Sequence, residues 1–176
     1  GTHALVIGVG GLGHLGVQIL SAITGTTIIA ADMKQEALDL AKKHGAAHTF
    51  ISGENTAAEI RELTGGRGVD VVLDFVGATP TIALGMASAR QMGDVTVVGI
   101  GGGSYDFSFF NVPYEVSMQT TYWGSRPELA ELLELGASGA VRTQIKEYSL
   151  DDATVAYQDL KDGKIQGRAV VIPNRG

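Results

Sequence analysis

The 176-residue sequence contains no cysteine, and that absence removes several kinds of protein at once. Without cysteine there is no disulfide framework of the sort that staples small secreted domains, no thiolate zinc site and no cysteine nucleophile. Cations are also in deficit: 13 Lys and Arg stand against 19 Asp and Glu, a formal net charge of -6. No basic excess is therefore available to neutralise a phosphate backbone, which excludes nucleic acid as an expected partner. No apolar run approaches the roughly 20 residues needed to cross a bilayer, and the first residues lack the basic region and apolar stretch of a secretory leader. The expectation is a soluble cytoplasmic protein with no membrane partner. Glycine, by contrast, is plentiful at 25 residues, placed singly or in short clusters between apolar runs. That is turn chemistry rather than low complexity. With 44% hydrophobic residues the chain can bury one sizeable core, and no internal repeat divides it.

Short β-branched apolar runs alternate with amphipathic stretches of helical spacing through most of the chain. The strands expected are Ala4 to Val9, Thr27 to Ala31, His48 to Ile51, Val69 to Phe75 and Val95 to Ile100, with helices at Gly11 to Ile23, Lys34 to His44, Thr56 to Thr64 and Thr79 to Met92. Regular strand, helix, strand order implies parallel pairing through helical crossovers. The runs Ala-Leu-Val-Ile and Val-Asp-Val-Val-Leu are almost continuously apolar, as central strands covered on both faces must be. The fold class expected is α/β, a doubly wound parallel sheet of the Rossmann kind.

Beyond Gly101-Gly102-Gly103 an aromatic segment, Tyr105 to Tyr114, leads to an expected edge strand at Ser117 to Trp123 and a helix at Pro127 to Leu135. Pro127 suits a first helical turn, where its missing N–H leaves nothing unpaired. A short extension follows, with strand Gln144 to Tyr148, helix Asp151 to Asp162 and strand Arg168 to Ile172. Ser149 and Asp151 are its candidate caps, and Val155 and Leu160 its candidate core contacts. The division expected is a dinucleotide-binding unit over 1–140 and a C-terminal segment over 141–176.

The first strand runs into Gly8-Val9-Gly10-Gly11-Leu12-Gly13, and a helix begins at once. Gly8 suits a turn that a side chain would strain, Gly10 lets the main chain approach a pyrophosphate, and Gly13 allows close helix packing. The open N–H groups and dipole of the helix start favour phosphate there. Asp32 follows at the end of the second strand, 19 positions after Gly13. A carboxylate there accepts from both adenosine ribose hydroxyls and repels a 2'-phosphate, which predicts NAD over NADP. Lys34 lies close enough to blur that preference slightly. The plain alternatives are a tight strand-to-helix connection and a helix-capping Asp32.

With these motifs in hand, the sequence resembles the cofactor-binding portion of the zinc-containing alcohol dehydrogenases, in the medium-chain dehydrogenase/reductase family. The matching stretches are Val-Ile-Gly-Val-Gly-Gly-Leu-Gly-His from Val6 to His14, Ala-Ala-Asp at 30 to 32, Leu-Thr-Gly-Gly-Arg-Gly-Val-Asp from Leu63 to Asp70, Asp-Phe-Val-Gly from Asp74 to Gly77 and Val-Val-Gly-Ile from Val97 to Ile100. Tyr-Trp-Gly-Ser-Arg from Tyr122 to Arg126 and Asp-Gly-Lys-Ile-Gln-Gly-Arg-Ala-Val from Asp162 to Val170 extend the likeness, which is nearest to the bacterial secondary alcohol dehydrogenases.

The resemblance implies that Gly11 and Leu12 meet the pyrophosphate through their main chain, that Asp32 accepts from the ribose, and that Met33 flanks adenine. It further implies that Phe75 lines the cleft, that backbone atoms of Val98, Ile100 and Trp123 hold the nicotinamide carboxamide, and that Arg168 reaches the pyrophosphate, for which a guanidinium is well shaped. In this family zinc polarises the oxygen of an alcohol or ketone while hydride passes to or from nicotinamide. The resemblance assigns the 141–176 extension to the family's catalytic domain, whose zinc ligands lie in an N-terminal part with no counterpart here. This chain alone is therefore expected to bind NAD weakly, to carry no catalytic or metal-binding residue and to turn over nothing. A homo-oligomer joined through the Ser117 to Trp123 strand is also implied, since exposed edges are usually covered.

Other groupings carry less. His3, His14, His44 and His48 have no zinc-ligand spacing, though His14 sits in the first turn of the helix facing the phosphates. Tyr157 and Lys161 reproduce the Tyr-x-x-x-Lys spacing of short-chain dehydrogenases, but on a tail helix outside the expected core. The pairs Glu59/Glu62 and Asp151/Asp152 read as solvated helix charges. Two further functions remain: a self-standing NAD-sensing regulatory module, and a methyltransferase, which the glycine spacing disfavours.

Overall fold

A computed structural model describes residues 1–173, so the last three residues of the 141–176 segment lie outside the described residues. Six parallel strands form the main sheet: β1 (His3–Ile7), β2 (Thr27–Asp32), β3 (His48–Ile51), β4 (Val69–Asp74), β5 (Ala89–Val97) and β6 (Ser117–Thr120), in the order β3-β2-β1-β4-β5-β6. The crossovers are α1 (Gly13–Ile23), α2 (Gln35–Lys43), α3 (Thr56–Leu63) and α4 (Thr79–Ser88). The chain moves outward from β1 in one direction to β3, then returns and builds from β4 in the other. The strand order thus reverses between β1 and β4, and a crevice opens there at the strands' carboxyl ends.

Alternation along β1 supplies two cores. Leu5 and Ile7 pack with Ile29, Ile60, Val72, Met86 and Val95 on one face. Val6 packs with Val9, Val17, Ile28, Ala30 and Leu38 on the other. This period of two, with apolar residues at every position, is what covering both faces of a parallel sheet requires.

Several boundaries differ from the sequence expectation. β1 stops at Ile7 rather than Val9 because Gly8 turns to φ +81°. α4 ends at Ser88 instead of Met92, and β5 begins at Ala89 instead of Val95. Arg61, on α3, causes the early stop: its guanidinium donates to the carbonyls of Ala87 (2.7 Å) and Ala89 (2.9 Å), taking acceptors that another helical turn would use. The register against β4 then slips between Val69 and Val71, and Met92 adopts φ +56°. β5 ends at Val97, not Ile100, because the amides of Val98 and Gly99 both donate to the Asp74 carbonyl (2.8 and 3.0 Å). β6 is four residues long, ending at Thr120 rather than Trp123.

Asp70 ties the starts of three strands together. Its carboxylate accepts from the His3 amide (2.8 Å), from Arg67 on both oxygens (2.6 and 3.2 Å) and from Arg90 (2.8 Å). Burial pushes its pKa up, but the bonds from Arg67, His3 and Arg90 outweigh that and hold it well below the usual carboxylate range. A depressed carboxylate stabilises the fold above its unfolded pKa and loses that contribution as pH falls toward the folded one. The gap in urea midpoint between wild type and Asp70→Asn is therefore expected to be constant from neutral pH down to about 5 and to close below about pH 4. A gap that persists undiminished into strong acid would show that the charge is irrelevant.

The remaining chain forms α5 (Arg126–Ala137) and a separate two-stranded parallel sheet, β7 (Ile145–Ser149) with β8 (Arg168–Ile172), joined by α6 (Ala153–Lys161). α5 opens on a capping box in which Ser125 and Glu128 exchange side-chain to backbone bonds, with Pro127 in the first turn. The cap of α6 is Asp152 rather than Asp151, and Ser149 Oγ accepts from the Asp152 amide at 3.2 Å. Val155 and Leu160 are exposed rather than core contacts, since two strands cover only a narrow face of α6, where Ala156 is buried. No described helix is long and apolar enough to cross a membrane.

Candidate functional site

The glycine turn sits at the crevice. Gly8 donates its amide to the Ala31 carbonyl (2.8 Å), fixing the turn to β2. A Cβ on Gly13 would stand 1.8 Å from the Gly8 carbonyl oxygen, so only glycine lets α1 start this close to its own strand. Nothing lies within 4 Å of a Cβ on Gly10, whose outer face is open. Among the described residues the amides of Gly11, Leu12 and Gly13 have no acceptor, while the first helical bonds run from His14 to Gly10 and from Leu15 and Gly16 to Leu12. Three donors thus converge at a helix start, an arrangement suited to an anion.

Asp32 ends β2 beside this turn. One carboxylate oxygen accepts from the Val9 amide (2.7 Å) and the other from the Lys34 amide (2.9 Å). Asp32 does not cap α2 in the ordinary sense: the capping position is Lys34, and the acid bridges the loops after β1 and β2. Each oxygen keeps lone-pair capacity for a further donor. Lys34 is drawn elsewhere, its ammonium donating to the Gly163 carbonyl at 2.7 Å. Leu12 and Met33 project from the same region, both exposed.

Asp74 shapes the other wall. Fully buried, it accepts from the Val76 and Gly77 amides on one oxygen (2.9 and 3.0 Å) and from the Thr81 hydroxyl on the other (2.8 Å). The next residue, Phe75, rests its ring on α1, where Cβ atoms on Gly13 and Gly16 would stand 3.5 and 2.6 Å away. Phe75 is half-buried and supports the helix that begins at the glycine turn. Val98, with its amide spent on Asp74, can offer a ligand only its carbonyl. Ile100 and Trp123 are 92% and 80% exposed beyond the ends of β5 and β6.

Arg168 opens β8 in the separate small sheet, yet its side chain reaches the turn. A Cβ on Gly11 would meet its Nη1 at 2.9 Å and its Cδ at 3.0 Å, so the guanidinium occupies the space a side chain at position 11 would need. The structure therefore gathers Gly8, Gly10, Gly11, Leu12, Gly13, Asp32 and Arg168 around the carboxyl ends of β1 and β2. Met33, Phe75, Val98, Ile100 and Trp123 lie along the loops that follow β2, β4, β5 and β6.

His14 is the residue whose part the sequence hid. It is buried, its Nδ1 lies 2.8 Å from the Gly10 carbonyl, and its Nε2 accepts from the Gln144 amide at 3.2 Å. His44, whose ring centre is 6.5 Å away, has its pKa lowered, chiefly by burial. A buried histidine at the first turn of α1 is visible in the sequence, but its partner, 130 positions away, is not. Tyr157 is exposed on α6. Zinc does not fit these residues: there is no cysteine, and among the described residues no group of three or more His, Asp or Glu could hold a metal ion.

The zinc-binding dehydrogenase family pattern matches residues 11–138. An NAD-dependent alcohol dehydrogenase of Sulfolobus acidocaldarius is 34% identical over 178 residues, covering 95% of this chain and 49% of that protein. The crystal structure of the alcohol dehydrogenase from Aeropyrum pernix superposes with a TM-score of 0.91 at 37% identity, covering 98% of this chain and 50% of the other. Acetophenone reductase from Geotrichum candidum, solved in complex with NAD, does so with a TM-score of 0.85 at 28% identity, over 98% and 48% of the respective chains. The chain spans about half the length of the relatives it matches.

Proposed function

Because the chain belongs to the zinc-binding dehydrogenase family, we propose that it holds NAD(H) for a zinc-dependent dehydrogenase that interconverts alcohols with aldehydes or ketones, the zinc being bound by residues other than these 176. The observation that carries the reading is the glycine turn with its unpaired amides, flanked by the Arg168 guanidinium on one side and the Asp32 carboxylate on the other. Bound nicotinamide would supply the hydride donor or acceptor.

The chain's own residues bind and orient. Gly11 and Leu12 amides with Arg168 hold the pyrophosphate, Asp32 takes the adenosine ribose hydroxyls, and Met33 flanks the adenine. Phe75 backs the cleft through α1, while main-chain atoms of Val98, Ile100 and Trp123 receive the carboxamide. Residues 1–140 form the dinucleotide unit in this reading, and 141–176 return to it to deliver Arg168. The protein acts in the cytoplasm and associates through the free edge of β6 (Ser117–Thr120), with the exposed Tyr122 and Trp123 beside it. A self-standing NAD-sensing module would share every cofactor contact; the family match over 11–138 favours the enzyme.

The test is a calorimetric titration of NADH and NADPH into wild type and into Asp32→Ala and Asp32→Asn. Wild type is expected to prefer NADH. Removing the acid is expected to narrow the preference by roughly 10-fold or more, the size of a lost charge-assisted contact. Asn keeps an acceptor for the Val9 or Lys34 amide, so it should retain the fold while still losing discrimination. An NADH to NADPH ratio unchanged in both variants would reduce Asp32 to a loop bridge.

A further inference from the structure

A closed circuit of contacts begins and ends on the glycine turn. The Gly10 carbonyl can only accept and the Gln144 amide can only donate, so His14 must carry its proton on Nδ1 and leave Nε2 bare: one neutral tautomer satisfies both neighbours. One helical turn further along the same face, Gln18 grips the backbone of Arg142 twice, its Nε2 donating to the Arg142 carbonyl (3.0 Å) and its Oε1 accepting from the Arg142 amide (2.8 Å). Two buried side chains of α1 therefore hold the extended segment that enters β7. The Gln144 carbonyl in turn accepts from the amide of Arg168 at 2.9 Å. The Arg168 side chain then lies back over Gly11, the next residue after the one His14 holds.

We propose that His14 is a positioning residue for the phosphate site: it touches no ligand, but through Gln144 it fixes the strand from which Arg168 reaches the turn. The proposal rests on the reading of this turn as a dinucleotide site. Its physical basis is geometric: a long guanidinium side chain contributes to anion binding only if its backbone anchor is held, and the anchor here is on a two-stranded sheet outside the main one. Short-range contacts supply that hold. Without the Nε2 acceptor, the part-buried Gln144 amide faces an apolar side chain, and the segment must shift to pair it with another acceptor or with water.

The experiment compares ADP with adenosine, since the ratio of their dissociation constants isolates what the phosphates contribute. Calorimetry on the full chain would use wild type, His14→Leu, Arg168→Met and the double variant. Arg168→Met is expected to shrink the adenosine to ADP ratio roughly 10- to 100-fold. His14→Leu should shrink it by a comparable factor, with adenosine affinity unchanged within about twofold. The double variant should bind ADP no more weakly than Arg168→Met alone, because one contact is being lost by two routes.

A merely structural role would weaken both ligands together and multiply with Arg168→Met; either result would overturn the proposal. So would an unchanged ratio in His14→Leu. If that variant does not fold, Gln144→Pro removes the single N–H while leaving the imidazole in place, and the same loss of ratio is expected. A wild-type chain that binds neither ligand overturns the dinucleotide reading itself, whereas wild-type binding with His14-independent ratios overturns this proposal alone.

Discussion

Gly13→Ala is expected to lower the melting temperature by roughly 10 °C or more, the consequence of about 3 to 5 kcal/mol of lost stability in a domain of this size. The new methyl would stand 1.8 Å from the Gly8 carbonyl oxygen and 2.9 Å from its carbon, distances no real Cβ adopts. Neither partner can yield cheaply. Gly8 is held by the hydrogen bond its N–H donates to the Ala31 carbonyl and by a backbone at φ +81°, and Gly13 is the first residue of α1, whose face carries Phe75 against Gly16. Relieving the clash means lifting the start of α1 off the sheet and with it the packing of Val17 and Phe75. Gly10→Ala is the matched control, since nothing lies within 4 Å of its Cβ, and its melting temperature should stay within about 2 °C of wild type. A Gly13→Ala shift as small as that of Gly10→Ala would mean that the turn tolerates side chains generally and that the glycine spacing is not structural.

Asp74→Ala is the second large effect. Its buried carboxylate serves the Val76 and Gly77 amides and the Thr81 hydroxyl; the alanine variant removes the acceptor of both amides, the Gly77 amide being buried, and leaves Thr81 only the Ala78 carbonyl. A loss of about 3 to 5 kcal/mol follows, read as a fall in urea midpoint with little change in slope. Asp74→Asn should cost clearly less: its carbonyl still takes the two amides, and its NH2 can donate to Thr81, whose own proton already has the Ala78 carbonyl as an acceptor. Because the Asp74 backbone carbonyl also holds Val98 and Gly99, the loop bearing Ile100 should loosen as well, seen as faster amide exchange there. Alanine and asparagine variants of equal stability would contradict this network.

What the sequence made legible follows from local chemistry. Apolar runs located the central strands β1, β2 and β4, because a strand covered on both faces is mostly apolar, whereas β3 and β6, partly exposed at the two edges of the sheet, carry polar residues. The glycine turn was legible because backbone that must turn at φ +81° and pack within van der Waals contact excludes other residue types. Boundaries set by distant side chains were not. Arg61 ends α4 from another helix, and the Asp74 carbonyl ends β5 from another strand, so neither Met92 nor Ile100 signals its true state locally. Val155 and Leu160 show apolar spacing on α6, yet the sheet beneath has two strands and covers little of it. The site divides in the same way. Asp32 could be placed by counting, but its bond to the Val9 amide could not. Arg168 could be named, but the route that brings it to Gly11, through His14 and Gln144, depends on pairing across 130 positions.

Titration of NADH into the unmodified chain decides whether this turn holds NAD(H). With NADPH and S-adenosylmethionine titrated alongside, NADH is expected to bind saturably and more tightly than either. Preference for NADPH or S-adenosylmethionine, or no NADH binding by a chain shown to be folded, would contradict the NAD(H) reading.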